Sequence, residues 1–341
     1  MFRAPAAARL VRRTAPHLPK PTPRLLRPCQ LALSAPSRRS SSTNTISPDE
    51  IAHFSALSAH WWDPTGEFGL LHRMNPARVQ FMRDSLLRAE ELPQARWLEG
   101  RNVLDVGCGG GIFAESLARL GADTLAIDAS SSNISVAQTH ASRDPAFNLV
   151  NSSIPPLPSG RETAQRNPLE YRHCAAEDLV REGRQFDVVC AMEVIEHVED
   201  PRGFLDCLSQ LTKVRSPSAS DPPPAALTFS CSRSRLSKLH PSQPGGFLLL
   251  STISRTPLAQ FLTITMAESI LRLVTPGTHT YHKYIKPDEL QAFFDGKGWW
   301  GMERRGCVYD PLAGRWRLLG EGEFGGAGEL VNYFAGVRKP L

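Results

Sequence analysis

The sequence predicts an α/β fold: a mostly parallel sheet with helices on both faces. Three observations predict it. From Asn102 onward, near-continuous apolar runs alternate with helical segments, the pattern of strands buried on both sides. The first run, Asn102 to Val106, passes through Gly107-Cys108-Gly109-Gly110-Gly111 into a helix expected at Ile112 to Leu120. The second run, Thr124 to Ile127, ends on an acid, Asp128. Glycines let a backbone approach a ligand where a Cβ would clash, and the helix start adds free N–H groups. An acid about 20 residues further on, at the tip of the next strand, can accept hydrogen bonds from ribose hydroxyls.

The elements follow in order. Ser47-Pro48-Asp49-Glu50 has the marks of a helix start, with Ser as cap, Pro in the first turn and acids beside it. A helix rich in apolar and aromatic residues should continue to Trp62, and residues 46–100 are expected to form a helical lid. The main domain is expected at 101–341, with further strands at Tyr171–Cys174, Phe186–Ala191, Phe247–Thr252 and a closing strand at Asn332–Val337. Residues 150–168 and 214–244 are Pro/Ser-rich and interrupt this rhythm, so they are expected to be disordered insertions. Without the second one, Lys213 and Val214 would run almost directly into Pro244-Gly245-Gly246, as expected of translated intron sequence.

The glycine run has alternatives. A dinucleotide site uses G-x-G-x-x-G, whereas here Gly107-x-Gly109-Gly110-Gly111 is preceded by Asp105. This D-x-G-x-G form resembles motif I of the class I S-adenosylmethionine (SAM) methyltransferases. A nucleoside cofactor without a phosphate to cradle is the better reading, and a purely structural glycine turn is the third.

The chain has 341 residues, 41% of them hydrophobic, and a net charge of +5. That charge is uneven: residues 1–48 hold eight Arg and one Lys and no acid, leaving 30 basic against 34 acidic residues in the body. A mildly acidic body without a basic stripe argues against nucleic acid as a partner. The Arg- and Ser-rich, acid-free leader, residues 1–45, fits a mitochondrial transit peptide. Seven cysteines form no C-x-x-C pair and no zinc-like spacing, so reduced thiols are expected. Leu258 to Val274 is unusually apolar, carrying only Glu268 and Arg272 as charges. It reads as a core helix, or as one lying on a membrane surface or lining a lipid-tail channel.

The strand ending near Ala191 runs into Met192-Glu193-Val194-Ile195-Glu196-His197-Val198. Glu193, Glu196 and His197 stand at i, i+3 and i+4, so one helical turn would aim all three the same way. Two carboxylates and an imidazole can hold a divalent cation, with Mg²⁺ favoured by oxygen ligands. The competing readings are His197 as a metal-free general base and a structural role with Glu196 as a helix cap.

Several blocks now combine: Phe54-x-x-Leu57-x-x-x-Trp61-Trp62-Asp63-Pro64, Leu71-His72-x-Met74-Asn75-Pro76-x-Arg78, the glycine loop and Glu-Val-Ile-Glu-His. With Leu249-Leu250-Ser251-Thr252-Ile253-Ser254-Arg255-Thr256-Pro257, Gly277-Thr278-His279, Gly314-Arg315-Trp316 and Asn332-Tyr333-Phe334, they resemble the ubiquinone-biosynthesis O-methyltransferases over about residues 50–341. The resemblance implies a class I SAM-methyltransferase fold with a seven-stranded, mostly parallel sheet. It implies SAM-dependent O-methylation of a polyprenylated catechol. The setting it implies is the matrix face of the mitochondrial inner membrane, held peripherally within a coenzyme Q assembly of partner subunits. By position, Arg78 would pair with the methionine carboxylate of SAM, Gly107 and Met192 would contact the cofactor, and Asp128 would bind its ribose. Glu193, Glu196 and His197 would hold the metal, lowering the pKa of a catechol hydroxyl. His279 would face the substrate ring or pack its loop. An RNA 2′-O-methyltransferase with a similar Glu-Glu-His cluster and a non-catalytic SAM-binding scaffold are the readings from other classes.

Overall fold

The computed structural model describes residues 45–87, 95–150, 167–214, 245–270, 275, 277–320 and 323–340. The expected transit peptide lies outside these residues except for Thr45. The expected insertions also lie outside, except for Val150, Asn167, Pro168 and Val214.

Among the described residues nine strands form one sheet. They are β1 (Asn102–Val106), β2 (Asp123–Asp128), β3 (Phe147–Val150), β4 (Asn167–His173), β5 (Val188–Met192), β6 (Phe247–Ile253), β7 (Trp300–Asp310), β8 (Arg315–Leu318) and β9 (Asn332–Arg338). Their order is β3-β4-β2-β1-β5-β6-β9-β7-β8. β1 to β6 pair in parallel; β9 is antiparallel to both β6 and β7, and β8 closes a hairpin with β7. The expected mostly parallel sheet with helices on both faces is present, and the expectation of seven strands is corrected to nine. β3 is a four-residue edge strand, too short to carry a period, and β8 begins Arg315-Trp316-Arg317, which reads as polar.

Side-chain alternation explains the two-faced core. Leu104, Val106, Val189, Ala191, Leu248 and Leu250 point to one face, packing with α5 (Ala176–Arg181), α6 (Pro201–Leu211) and α8 (Pro287–Asp295). Their neighbours Val103, Val188, Cys190, Met192, Phe247 and Leu249 point to the other, against α2 (Gly69–Leu86) and α3 (Ile112–Arg119). α4 (Ser131–Ala141) packs with α3, β3 and β4 in a third cluster. α4 is capped by Ser130, whose hydroxyl accepts from the Asn133 N–H at 3.2 Å. α6 is capped by Asp200, with Pro201 in its first turn.

The helix start at Ser47 is borne out: α1 spans Pro48–Ala56, although the Ser47 side chain makes no cap bond. α1 does not reach Trp62; a 3₁₀ turn at Ser58–His60 follows it. α2 buries Met74, Ala77, Arg78, Phe81, Met82, Ser85 and Leu86, a stripe with helical spacing. Its inner face therefore belongs to the domain core. The apolar segment after β6 is not a buried helix over its described length. It forms a short α7 (Pro257–Gln260) and a π-helix, Phe261–Ile270, with Leu258, Phe261, Leu262 and Ile270 exposed. No helix among the described residues is long and apolar enough to cross a membrane.

Candidate active site

The chain order reverses at β1, which lies between β2 and β5. That reversal opens a crevice at the carboxyl ends of the parallel strands. A cavity of about 600 Å³ fills it, walled by Val106, Gly107, Gly109, Ile127, Asp128, Met192 and Glu193 at the strand ends. Glu196, His197 and His279 line the same cavity. So do Glu50, Phe54 and Leu57 from the N-terminal segment and Leu262, Thr263 and Met266 from the π-helix.

At one end stands the glycine loop. Gly107 has φ +71°, and a Cβ there would come within 2.6 Å of Val194, so a side chain is excluded both by conformation and by space. Gly110 is covered by Trp61, whose indole N–H donates to Asn133 Oδ1 at 2.9 Å; the Trp62 N–H donates to the Gly110 carbonyl at 2.9 Å. Asp128 accepts from the N–H groups of Gly109 (2.9 Å) and Ser130 (2.8 Å) and from the Asn133 amide (3.2 Å). Burial nevertheless leaves its pKa above the ordinary aspartate value. A carboxylate offers about four acceptor positions. Three are taken, so Asp128 has room for one further hydroxyl as it stands rather than for both hydroxyls of a ribose.

Arg78 is not on the cavity wall. It occupies a core position of α2 and is 4% exposed, with Nε lacking any hydrogen-bond partner. Burial lowers its pKa, opposed by the charges of Glu193, Asp105 and Glu196. A buried guanidinium with an unsatisfied donor suits a carboxylate, the group expected of the cofactor's methionine end.

Met192 ends β5, and the chain then turns sharply. Glu193 has φ +57°, in the left-handed region disfavoured for a side-chain-bearing residue. The turn is fastened by its N–H, which donates to Ser251 Oγ at 3.0 Å. Ile195–His197 form a 3₁₀ turn. The expectation of one helical turn through Glu193, Glu196 and His197 is thereby corrected. The β5 strand persists to Met192, and the left-handed Glu193 breaks the path before any helix begins. Glu196 is 3% exposed and accepts from the Thr252 hydroxyl at 2.9 Å; burial, then the charge of Glu193, raises its pKa to about 8. His197 points Nδ1 at Glu50 Oε2, 3.1 Å away. Glu50 also accepts from Lys283 at 2.9 Å. Burial tends to raise the Glu50 pKa, but hydrogen bonds from His197 and Lys283 override it and hold the carboxyl at about 2.

The three residues expected to bind metal thus share a cavity without converging. Among the described residues no group of three or more His, Cys, Asp or Glu side chains stands ready to hold a metal ion. The donor chemistry suits a divalent cation, but the three side chains are not gathered to hold one: Glu193 stands on the left-handed turn, Glu196 accepts from Thr252, and His197 is oriented through Nδ1 by Glu50.

Two residues escape sequence reasoning. Glu50 reads there only as a first-turn acid, and nothing local connects it to His197. Glu268, the lone acid among the apolar residues of the π-helix, carries a signal in its isolation. It is 2% exposed and accepts from the His279 ring Nδ1 at 2.6 Å.

A family model described as a methyltransferase domain matches residues 43–217. The chain is 40% identical over 302 residues to a mitochondrial ubiquinone biosynthesis O-methyltransferase of Schizosaccharomyces pombe, covering 87% of this chain and 88% of that protein. It is 35% identical to the ubiquinone biosynthesis O-methyltransferase of Sinorhizobium fredii, over 87% of this chain and 97% of that one. The corresponding protein of Azorhizobium caulinodans is 36% identical, over 89% and 97%. With a methyltransferase sheet, a glycine loop facing the strand-end cavity and relatives of this kind along most of its length, the chain belongs to the ubiquinone-biosynthesis O-methyltransferase family and is a methyltransferase.

Proposed function

We propose that this enzyme methylates a hydroxyl of a polyprenylated catechol, from SAM, in ubiquinone synthesis. The setting is the matrix face of the mitochondrial inner membrane, peripheral to the bilayer and beside other coenzyme Q subunits. The observation that carries this reading is one cavity with three different regions: a glycine loop with Asp128, a carboxylate-held His197, and the apolar π-helix. Leu262 both lines the cavity and is exposed, an apolar opening that supports entry of a prenyl tail there.

SAM supplies an electrophilic sulfonium methyl. The chain's own residues bind and orient. Gly107 and Met192 line the cofactor end, Asp128 has one acceptor position left for a ribose hydroxyl, and Arg78, buried away from the wall, would have to turn toward the cavity for its unpaired Nε to meet the carboxylate. Trp61 and Trp62 close over the loop as part of the lid. A catechol hydroxyl must lose its proton to attack. Glu50 accepts the Nδ1 proton of His197, leaving Nε2 with the lone pair that takes the proton from the substrate. Glu193, Glu196 and His197 do not converge on one point among the described residues, so the proton is assigned to His197.

The test is methyl transfer from labelled SAM to a short-tailed 3,4-dihydroxy-5-prenylbenzoate, before and after EDTA and with Mg²⁺ readdition. Product untouched by EDTA, and lost in His197→Ala, supports the imidazole as base. Product abolished by EDTA and restored by Mg²⁺ would show that the three ligands regroup around a metal. No product despite SAM binding would overturn the substrate assignment.

A further inference from the structure

His197 is not the only imidazole in the cavity that is fixed by a carboxylate. His279 lies near it, with ring centroids 6.4 Å apart and planes at 41°. Its Nδ1 is 2.6 Å from Glu268 Oε1, and Glu268 also accepts the backbone N–H groups of His279 and Gly277, each at 2.8 Å. Burial would raise the Glu268 carboxyl, but these hydrogen bonds bring its pKa below the ordinary value, so it is a charged acceptor. The two backbone bonds alone would anchor the loop. The additional bond to the ring sets the direction of the imidazole. Among the described residues, Nε2 of His279 has no hydrogen bond, and the side chain stands on the cavity wall at 17% exposure.

The same device therefore occurs twice on the wall of one cavity: Glu50 behind His197 and Glu268 behind His279. At 6.4 Å the rings are too far apart to bond each other. With a hydrogen bond of about 2.9 Å from each Nε2, they are close enough to reach two neighbouring oxygens on one aromatic ring. A monohydroxy ring would satisfy one imidazole and leave the other buried without a partner, which is the situation that gives a site its strongest discrimination.

We propose that His279, positioned by Glu268, is the specificity-determining residue that selects an ortho-dihydroxy ring, by hydrogen-bonding the oxygen adjacent to the one that is methylated. This rests on the catechol reading of the cavity. His197 takes the proton from the reacting oxygen, while His279 accepts the hydrogen of its neighbour and fixes the rotation of the ring. Glu268 does not touch substrate; it is a positioning residue. Because Glu268 lies on the π-helix that exposes Phe261 and Leu262, one segment would carry both tail entry and head-group selection.

The experiment compares kcat/KM for the dihydroxy substrate with that for its monohydroxy analogue bearing the same tail, in the full chain and its variants. His279→Ala is expected to lower kcat/KM on the dihydroxy ring by about 10- to 100-fold while leaving the monohydroxy value unchanged or raised, because no imidazole is then stranded without a partner. Added imidazole should restore part of the dihydroxy rate. Glu268→Gln should give a smaller loss with the same selectivity pattern. SAM affinity, measured by titration, reports folding; should His279→Ala lose it, His279→Gln decides in its place. Equal losses on both substrates, or an unchanged dihydroxy rate, would overturn the inference while leaving the catechol reading intact. A wild-type enzyme that prefers the monohydroxy ring, or methylates neither, overturns both.

Discussion

Asp105 is 2% exposed and its Oδ2 meets no hydrogen-bond donor among the described residues. Burial, partly opposed by the charge of Arg78, raises its pKa from 3.8 to about 7. Between those two values the folded protein retains a proton that the unfolded chain has released, so stability falls as pH rises from about 4 to 7. Asp105→Asn removes this titration. The expected outcome is that the urea midpoint of the wild-type protein drops from pH 5 to pH 8 by clearly more than that of the variant. Parallel pH profiles would show that Asp105 is ionised throughout. At this scale the sequence was informative wherever a residue breaks its local pattern. Arg78 is a charge at a core position of α2, and Glu268 is an acid in an apolar run. Glu50 breaks no pattern, and its role arises only because α1 is folded against a histidine 147 positions away.

At the scale of elements, the ends of the long insertion meet. The N–H of Gly246 donates to the Lys213 carbonyl at 2.9 Å, and Lys213 in turn donates its N–H to Phe186. In a chain lacking residues 215–244 that bond would span a four-residue turn, Lys213 to Gly246, and a shorter loop costs less closure entropy. Deletion of 215–244 is expected to leave the unfolding midpoint within about 4 °C of the full chain and SAM binding unchanged. A large loss of stability would show that the segment packs on the domain, and transcript sequencing across it tests the intron origin. The 257–270 segment carries a second prediction. Leu258, Phe261, Leu262 and Ile270 are exposed on it, while Ala259 and Glu268 are buried. Apolar side chains left in water gain about 1.5–3 kcal/mol each on entering an apolar phase. Phe261→Glu with Leu262→Glu should therefore abolish sedimentation with phospholipid vesicles and leave the unfolding midpoint nearly unchanged. Equal loss of folding and of vesicle binding would return the segment to the core.

At the scale of the whole molecule, the walls of the cavity come from α1, the glycine loop, the β5 turn, the π-helix and β9, from Thr45 to Asn332. Such a site exists only in the folded chain, so its cofactor must stabilise the fold by mass action. SAM at about 100 times its Kd is expected to add about 2.7 kcal/mol, a rise of about 5–10 °C in Tm for a domain of this size. A Tm indifferent to SAM would refute cofactor binding at this cavity. The β1–β5 reversal also explains why the site lies where it does, since the glycine loop and the Glu193 turn leave adjacent strands and meet at their carboxyl ends.

The sequence by itself determined the doubly wound α/β class, the glycine loop with Asp128 and the candidate site stretch after β5. These are local signals: apolar runs of strand length, turn glycines and residues a few positions apart. Only the tertiary structure decided the strand count, the break at Glu193, the turning of Glu196 to Thr252 and the pairing of Glu50 with His197. The physical reason is that these depend on contacts between residues far apart in the chain. β3 and β8 are strands because a neighbour pairs with them. A side chain in a buried site takes the direction of whichever distant partner satisfies it, and no local period records that choice.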